Sequence, residues 1–141
     1  MQTVLITGAS AGFGKLVAEK LLTKGYTVYA AARRVEKMRD LESLGAHIMH
    51  MDVTDTESVN AGVAKVIEEQ QRIDVLFNNA GYGSYGTIED VPLEEIQRQY
   101  DVNVFGMGRL VQAVLPQMRK QGSGRIINTA SVVGHVSTAV L

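Results

Sequence analysis

Five short apolar runs, separated by stretches with helical spacing, constrain the fold of this chain more than any other feature. The runs lie at residues 2–7, 27–32, 46–51, 73–81 and 125–131. Short apolar runs that alternate with helical segments indicate βαβ units, whose parallel strands are covered by helices on both faces. The sequence therefore predicts an α/β fold, a doubly wound parallel sheet.

The segments between the runs are predicted helices, and each carries a boundary signal. They are residues 12–24 before Gly25, residues 35–44 before Gly45, a helix opened by a capping box of Thr54 and Glu57, and one long helix over 92–121 with Pro92 at its first position and Pro116 bending its last turns. A chain of 141 residues has room for one globular core. We therefore expect residues 1–141 to form a single domain.

Composition narrows the class of partner. The net charge is -1 with the charges interspersed, so no basic field for nucleic acid is present. No apolar stretch approaches the roughly 18 residues of a membrane span, the N-terminus has no leader pattern, and the chain has no cysteine. His47 and His50 are three apart in a strand and so point to opposite faces, which predicts no metal site. We expect a cytoplasmic protein with a small-molecule substrate.

The turn after the first strand carries the strongest local motif, TGASAGFG at residues 7–14. Gly8, Gly12 and Gly14 let the backbone turn tightly and approach an anion at the N-terminus of the next helix. The spacing, G-x3-G-x-G, differs from the general dinucleotide fingerprint. The alternative is that these glycines serve turn geometry alone, but their place in a β-α-β unit favours phosphate binding.

The end of the second strand indicates which nucleotide binds. A carboxylate about 20 residues after the glycines usually accepts a hydrogen bond from a free ribose 2′-hydroxyl. Here the strand ends with Ala32 in that place, and Arg33 and Arg34 follow. Because a guanidinium can hold a 2′-phosphate, the sequence favours NADP(H) over NAD(H). The alternative is a pair of solvated arginines at a helix start.

Three further motifs, MDVTD (51–55), NNAG (78–81) and Ser-x-x-Gly (131–134), combine with TGASAGFG into an ordered set that resembles the short-chain dehydrogenases/reductases over essentially the whole chain. The resemblance implies a Rossmann-like doubly wound parallel sheet with strand order 3-2-1-4-5. It also implies an NADP(H)-dependent oxidoreductase that interconverts a carbonyl and an alcohol by hydride transfer, and a homodimer or homotetramer in the full-length protein. It implies that Asp52 meets the adenine amino group and that Val53 packs on the ring. The implied cofactor contacts are Gly8, Ser10, Gly12, Phe13, Gly14, Arg33, Arg34, Asp52, Val53, Asn79, Ala80 and Gly81, with Asn78 structural.

Asn103 and Ser131 are the expected catalytic residues. Asn103 shares a helical stripe with Ile96, Tyr100 and Leu110, so it faces an apolar side, where a polar group must be satisfied or functional. The resemblance assigns it the asparagine that distorts this helix and helps hold a proton-relay water. It assigns Ser131 the hydroxyl that holds the substrate carbonyl oxygen.

The chain departs from the family pattern at the proton donor, which is a tyrosine with a lysine four positions later, a dozen or so residues beyond the serine. No tyrosine here has lysine at that spacing, and the ten residues after Ser131 contain neither type. We therefore expect the N-terminal part of a longer protein, with the 141-residue chain alone inactive. The alternatives are a nucleotide-binding module without catalysis and a site for another nucleotide, such as a methyl-donor cofactor.

Tyr82, Tyr85 and His135 could meet substrate, although an ordinary loop role is the simpler interpretation.

Overall fold

The computed structural model describes residues 1–136 and contains one parallel sheet. Counted in chain order, its strands lie side by side as third, second, first, fourth and fifth, which is the order that the resemblance implies. Each hydrogen-bonded pair is parallel, and Val4 of the first strand lies level with Val28 and Val75 of its two neighbours. The strands are β1 (Thr3–Thr7), β2 (Thr27–Ala32), β3 (His47–His50), β4 (Val75–Asn78) and β5 (Arg125–Asn128).

Helices cover both faces of the sheet. They are α1 (Gly12–Thr23), α2 (Arg39–Ser43) after a 3-10 turn at Val35–Met38, α3 (Thr56–Gln70), α4 (Leu93–Tyr100) and α5 (Gly106–Gln121). The side chains of β1 alternate between two cores. Val4 and Ile6 pack with residues of α1 and α2, whereas Leu5 packs with residues of α3 and α5. This alternation makes the sheet doubly wound. No helix among residues 1–136 is long and apolar enough to cross a bilayer.

The predicted capping box at the start of α3 is wrong. The N-cap is Asp55, whose Oδ1 accepts a hydrogen bond from the Glu57 backbone N–H at 3.0 Å. Thr54 is drawn away from the helix because its backbone N–H and its hydroxyl both donate to Asp52 Oδ1, at 2.9 and 2.7 Å. The carboxylate that precedes Thr54 thus competes successfully for its hydrogen bonds.

The predicted long helix over 92–121 is interrupted. Pro92 is the N-cap rather than the first helical residue, and a π-helical turn at Asp101–Phe105 separates α4 from α5. Within this turn the Gly106 backbone N–H donates to the Asp101 carbonyl, one residue further than an α-helix allows. Gly106 lies against Val53, so close that a Cβ atom there would be 2.9 Å from Val53 Cγ2. The interruption of the helix thus coincides with a tertiary contact between Gly106 and Val53, which the periodicity of the sequence cannot reveal.

A buried carboxylate closes the end of the sheet opposite the site. Asp74 accepts hydrogen bonds from the Thr3 backbone N–H at 2.7 Å and from Arg72 Nε and Nη2 at 2.9 and 2.5 Å. The Arg72 guanidinium, with the Thr3 N–H, holds the pKa of the Asp74 carboxyl below its usual range. Asp74 therefore ties β1 to β4 through a charge-assisted bond.

Candidate functional site

A cleft of about 830 Å³ opens at the carboxyl ends of the strands. Ligands bind at this edge in doubly wound sheets, where the strand order reverses beside β1. The predicted site residues line this one cleft with a single exception, Gly14, which packs against Asn79 and Gly8. The lining residues that were predicted are Gly8, Ser10, Gly12, Phe13, Arg33, Arg34, Asp52, Val53, Asn79, Ala80, Gly81, Asn103 and Ser131.

Each glycine of the turn after β1 disfavours a side chain for a different structural reason. Gly8 has φ +65°, and a Cβ there would lie 2.7 Å from the Ala80 Cα, so a side chain is excluded twice. Gly12 also has a positive φ, +56°, but a Cβ there would meet nothing within 4 Å because its Cα faces open space. A Cβ on Gly14 would collide with Asn79 Nδ2 and the Gly8 carbonyl. The result is an open backbone cradle at the N-terminus of α1, which fits an anionic group.

Hydrogen bonds join the NNAG segment (78–81) to that cradle. Thr7 Oγ1 accepts hydrogen bonds from the backbone N–H groups of Asn79 and Ala80, both at 3.1 Å. Asn79 Nδ2 donates to the carbonyls of Thr7 and Gly8, both at 3.3 Å. Asn78, by contrast, is buried and donates to Asn128 Oδ1 at 2.9 Å, across the β4–β5 pair. Asn79 thus fixes the turn, and Asn78 has the structural role that the sequence suggested.

One end of the cleft combines two exposed guanidiniums with a carboxylate. Arg33 and Arg34 follow β2 and are exposed, and no ion pair joins either to a carboxylate among residues 1–136. Arg33 and Asp52 also line an adjoining cavity of about 460 Å³. Partial burial raises the pKa of the Asp52 carboxyl, but the hydrogen bonds from Thr54 and the Arg33 charge outweigh it, so the pKa lies below its usual value. Asp52 is therefore an ionised acceptor at neutral pH.

The middle of the cleft is bordered by the π turn. Asn103 lies in this turn, partly buried, and its amide bonds twice to the Tyr82 backbone. Asn103 Nδ2 donates to the Tyr82 carbonyl at 2.6 Å, and Asn103 Oδ1 accepts from the Tyr82 N–H at 3.0 Å. The apolar stripe predicted around Asn103 is only partly correct. Leu110 is buried, but Tyr100 is 56% exposed, because the polar side chains of Glu95 and Gln99 turn inward to meet the loop after β4.

Ser131 stands at the other end of the cleft, beyond β5. It is the N-cap of a 3-10 turn at Val132–Gly134, and its Oγ accepts a long 3.4 Å bond from the Val133 N–H. Its hydroxyl proton remains available to donate, because accepting that bond does not use it. Tyr82 and Tyr85 line the same cleft, whereas His135 is not among its lining residues.

Sequence reasoning missed three residues that hold the π turn and the loop beside it. Arg109 donates to the Val53 carbonyl at 3.1 Å and to Asp101 Oδ1 at 2.7 Å, so it ties the expected adenine wall to the π turn. Glu95 and Gln99 bond to Ser84. Their four-residue spacing, which continues to Asn103, is the signal that could have identified them.

These groups fit a dinucleotide by their chemistry. The cradle offers unpaired backbone N–H groups and a helix dipole, the Arg33 end offers positive charge, and the Ser131 end offers a neutral hydroxyl. Such an order suits a molecule with phosphates in its middle, a further charge at one end and a polar reacting group at the other.

Comparison with known proteins identifies the family of the chain. The family model for short chain dehydrogenases matches residues 2–141. A 3-ketodihydrosphingosine reductase of Bacteroides thetaiotaomicron is 43% identical over 134 residues, covering 94% of this chain and 48% of that protein.

Two solved structures that resemble the chain carry different nucleotides. A closed form of serine dehydrogenase complexed with NADP+ has a TM-score of 0.93 at 32% identity, covering 98% of this chain and 57% of that one. A short chain dehydrogenase/reductase of Burkholderia phymatum in complex with NAD has a TM-score of 0.91 at 30% identity, covering 99% and 52%. The chain thus spans about half the length of the proteins it matches. It belongs to the short-chain dehydrogenase/reductase family of oxidoreductases.

Proposed function

We propose that residues 1–141 form the single NADP(H)-binding domain of a longer reductase, which interconverts a carbonyl and an alcohol by hydride transfer. The observation that carries this proposal is the convergence of the glycine turn, Arg33, Asn103 and Ser131 on one cleft. Each is contributed by a different segment of the chain, and a purely structural role would not require all of them to face the same space.

The cofactor would lie along the cleft in a defined direction. Its pyrophosphate would meet the Gly8–Gly12 turn, where the cradle is open and the α1 dipole is positive. Its adenine would meet Asp52 and Val53, and a 2′-phosphate would meet Arg33. When bound, the nicotinamide supplies the hydride, which is the chemistry that the protein itself cannot provide.

The chain's own residues would position the substrate. The Ser131 hydroxyl would donate a hydrogen bond to the carbonyl oxygen, where negative charge develops during reduction. Asn103, in the π turn, would help hold a water on the proton path. We assign the proton donor itself, the family's tyrosine with its lysine, to residues outside 1–141.

Carbonyl turnover tests the proposal. The full-length protein that contains this sequence is purified and mixed with NADPH and a panel of aldehydes and ketones. NADPH oxidation is followed by absorbance. We expect turnover with at least one carbonyl, and NADPH binding without turnover for the 15.3 kDa chain alone. A full-length protein that binds NADPH but reduces no carbonyl would instead be a nucleotide-binding module. One that binds a methyl-donor nucleotide and not NADPH would refute the assignment of the site.

A further inference from the structure

The loop that follows β4 is fixed by one face of the helical segment opposite it. Ser84 Oγ donates to Glu95 Oε1 at 2.6 Å, and the Ser84 backbone N–H donates to Gln99 Oε1 at 2.7 Å. Two residues earlier, the Tyr82 backbone exchanges two hydrogen bonds with Asn103. Glu95, Gln99 and Asn103 are each four residues apart, so they form a row along one face; we call it the polar row.

The polar row holds a segment that has no regular structure of its own. Residues 81–86 belong to no helix or strand, so the side chains of the polar row provide hydrogen bonds that the loop backbone does not make within itself. The hydrogen bond from Ser84, together with the nearby Tyr82 phenol, holds the pKa of the Glu95 carboxyl below its usual value. Glu95 is therefore an ionised acceptor for the Ser84 hydroxyl of the loop.

The loop forms part of the wall of the candidate site. Tyr82, Ser84 and Tyr85 line the same cleft as Asn103 and Ser131. A displacement of this loop would change both the space next to Ser131 and the backbone to which the Asn103 amide is bonded. Misplacement by about 1 Å near reacting groups can cost roughly a hundredfold in rate.

We propose that Glu95 and Gln99 are positioning residues for carbonyl reduction: by holding Ser84 they set the wall of the substrate end of the cleft and keep Asn103 in register. The inference rests on the proposed function. Glu95 is not among the residues that line the cleft, whereas Gln99 is, and both act by holding the loop.

Steady-state kinetics of Glu95→Ala and Gln99→Ala test the inference. The matched controls are Glu94→Ala, the exposed neighbour of the same type, and Gln112→Ala, an exposed glutamine of α5. In the protein of natural length, we expect kcat/KM for the carbonyl to fall about tenfold to a hundredfold in each test variant, with KM rising. The Kd for NADPH, measured by fluorescence, should change less than about threefold, since Glu95 and Gln99 bond to Ser84 and to neither the glycine turn nor Arg33 among residues 1–136. Both controls should behave like the parent.

A conservative variant separates positioning from folding. Glu95→Gln keeps an oxygen that accepts from Ser84, so it should recover most of the kcat/KM that Glu95→Ala loses. Test variants with kinetics equal to their controls, in a parent that reduces carbonyls, would overturn the inference and leave the proposed function intact. A variant that loses NADPH affinity in step with kcat/KM would also overturn it, since that pattern indicates general unfolding. A parent without turnover would refute the proposed function, and the inference would fall with it.

Discussion

The side-chain amide of Asn103 is bonded twice to the backbone of Tyr82, as donor at 2.6 Å and as acceptor at 3.0 Å. This relationship joins the π turn to the loop after β4, 21 residues earlier in the chain. Since Nδ2 has a second proton and Oδ1 a second lone pair, the amide can still meet one further polar group. Asn103 therefore supports the cleft wall and remains open toward the cleft.

Replacing Asn103 should impair turnover more than cofactor binding. Asn103→Ala removes both bonds to Tyr82 and the proposed support of the proton path, so we expect kcat to fall about a hundredfold. The Kd for NADPH should stay within about threefold, because the cradle does not include Asn103. Steady-state kinetics with Asn60→Ala, an exposed asparagine of α3, as the control provide the check. Unchanged kcat would remove Asn103 from the mechanism.

Ser131 should matter for chemistry and not for folding. Its side chain is exposed and makes only the long bond to the Val133 N–H, so Ser131→Ala should change the free energy of unfolding by less than about 0.5 kcal/mol. Turnover should fall about a hundredfold or more, since one donor to a developing oxyanion is worth that much. Denaturant titration and kinetics on the same preparation measure the two effects. A variant that is destabilised yet fully active would contradict the assigned role.

Comparing substitutions at two glycines with positive φ distinguishes the cost of backbone strain from the cost of a steric clash. Gly8→Ala and Gly25→Ala both place a Cβ at positive φ, +65° and +81°, which costs about 1–2 kcal/mol. Only at Gly8 would that Cβ also collide with backbone, at Ala80. We expect Gly8→Ala to be the more destabilising of the two and to weaken NADPH binding as well. Urea titrations and NADPH titrations would contradict this if the two variants behaved alike.

The bonds of Asp74 predict a pH dependence. Because its folded-state pKa is depressed, the carboxylate contributes stability that is present above the unfolded value near 3.9 and is lost as pH falls through the folded value. Asp74→Asn should lower the free energy of unfolding by about 1–3 kcal/mol at pH 7. The difference from the parent should shrink below about pH 4. Urea titrations across this range test it, and a difference that is independent of pH would show that the charge is not responsible.

The strands and the glycine turn were predictable from sequence because both depend on local patterns, whereas the strand order followed from the family resemblance. Short apolar runs set the strands, and positive φ at Gly8 and Gly12 needs the residue type that stands there. The π turn was not predictable, since Gly106 lies against Val53 and Arg109 bonds to the same residue's carbonyl, more than 50 positions away. The resemblance nevertheless implied a distorted helix at Asn103, and the structure confirms it.

The cap of α3 and the inward orientation of Glu95 and Gln99 were also not predicted, because both depend on contacts that the local pattern does not show. Thr54 matches a capping pattern, but Asp52 takes its hydrogen bonds, and Asp55 caps α3 instead. Glu95 and Gln99 are polar residues of a type usually found at the surface, and their inward orientation depends on a loop that has no periodicity.

The expected oligomer and cytoplasmic location stay predictions.

The most direct test of the account is the nucleotide preference and its dependence on Arg33. NADPH and NADH are titrated by calorimetry into the parent, into Arg33→Ala and into the control Arg119→Ala, an exposed arginine at the end of α5. We predict that the parent prefers NADPH and that Arg33→Ala weakens NADPH about tenfold to a hundredfold, the worth of a hydrogen-bonded charge. NADH affinity should change little in either variant. Equal losses for both nucleotides, or a parent that prefers NADH, would contradict the account.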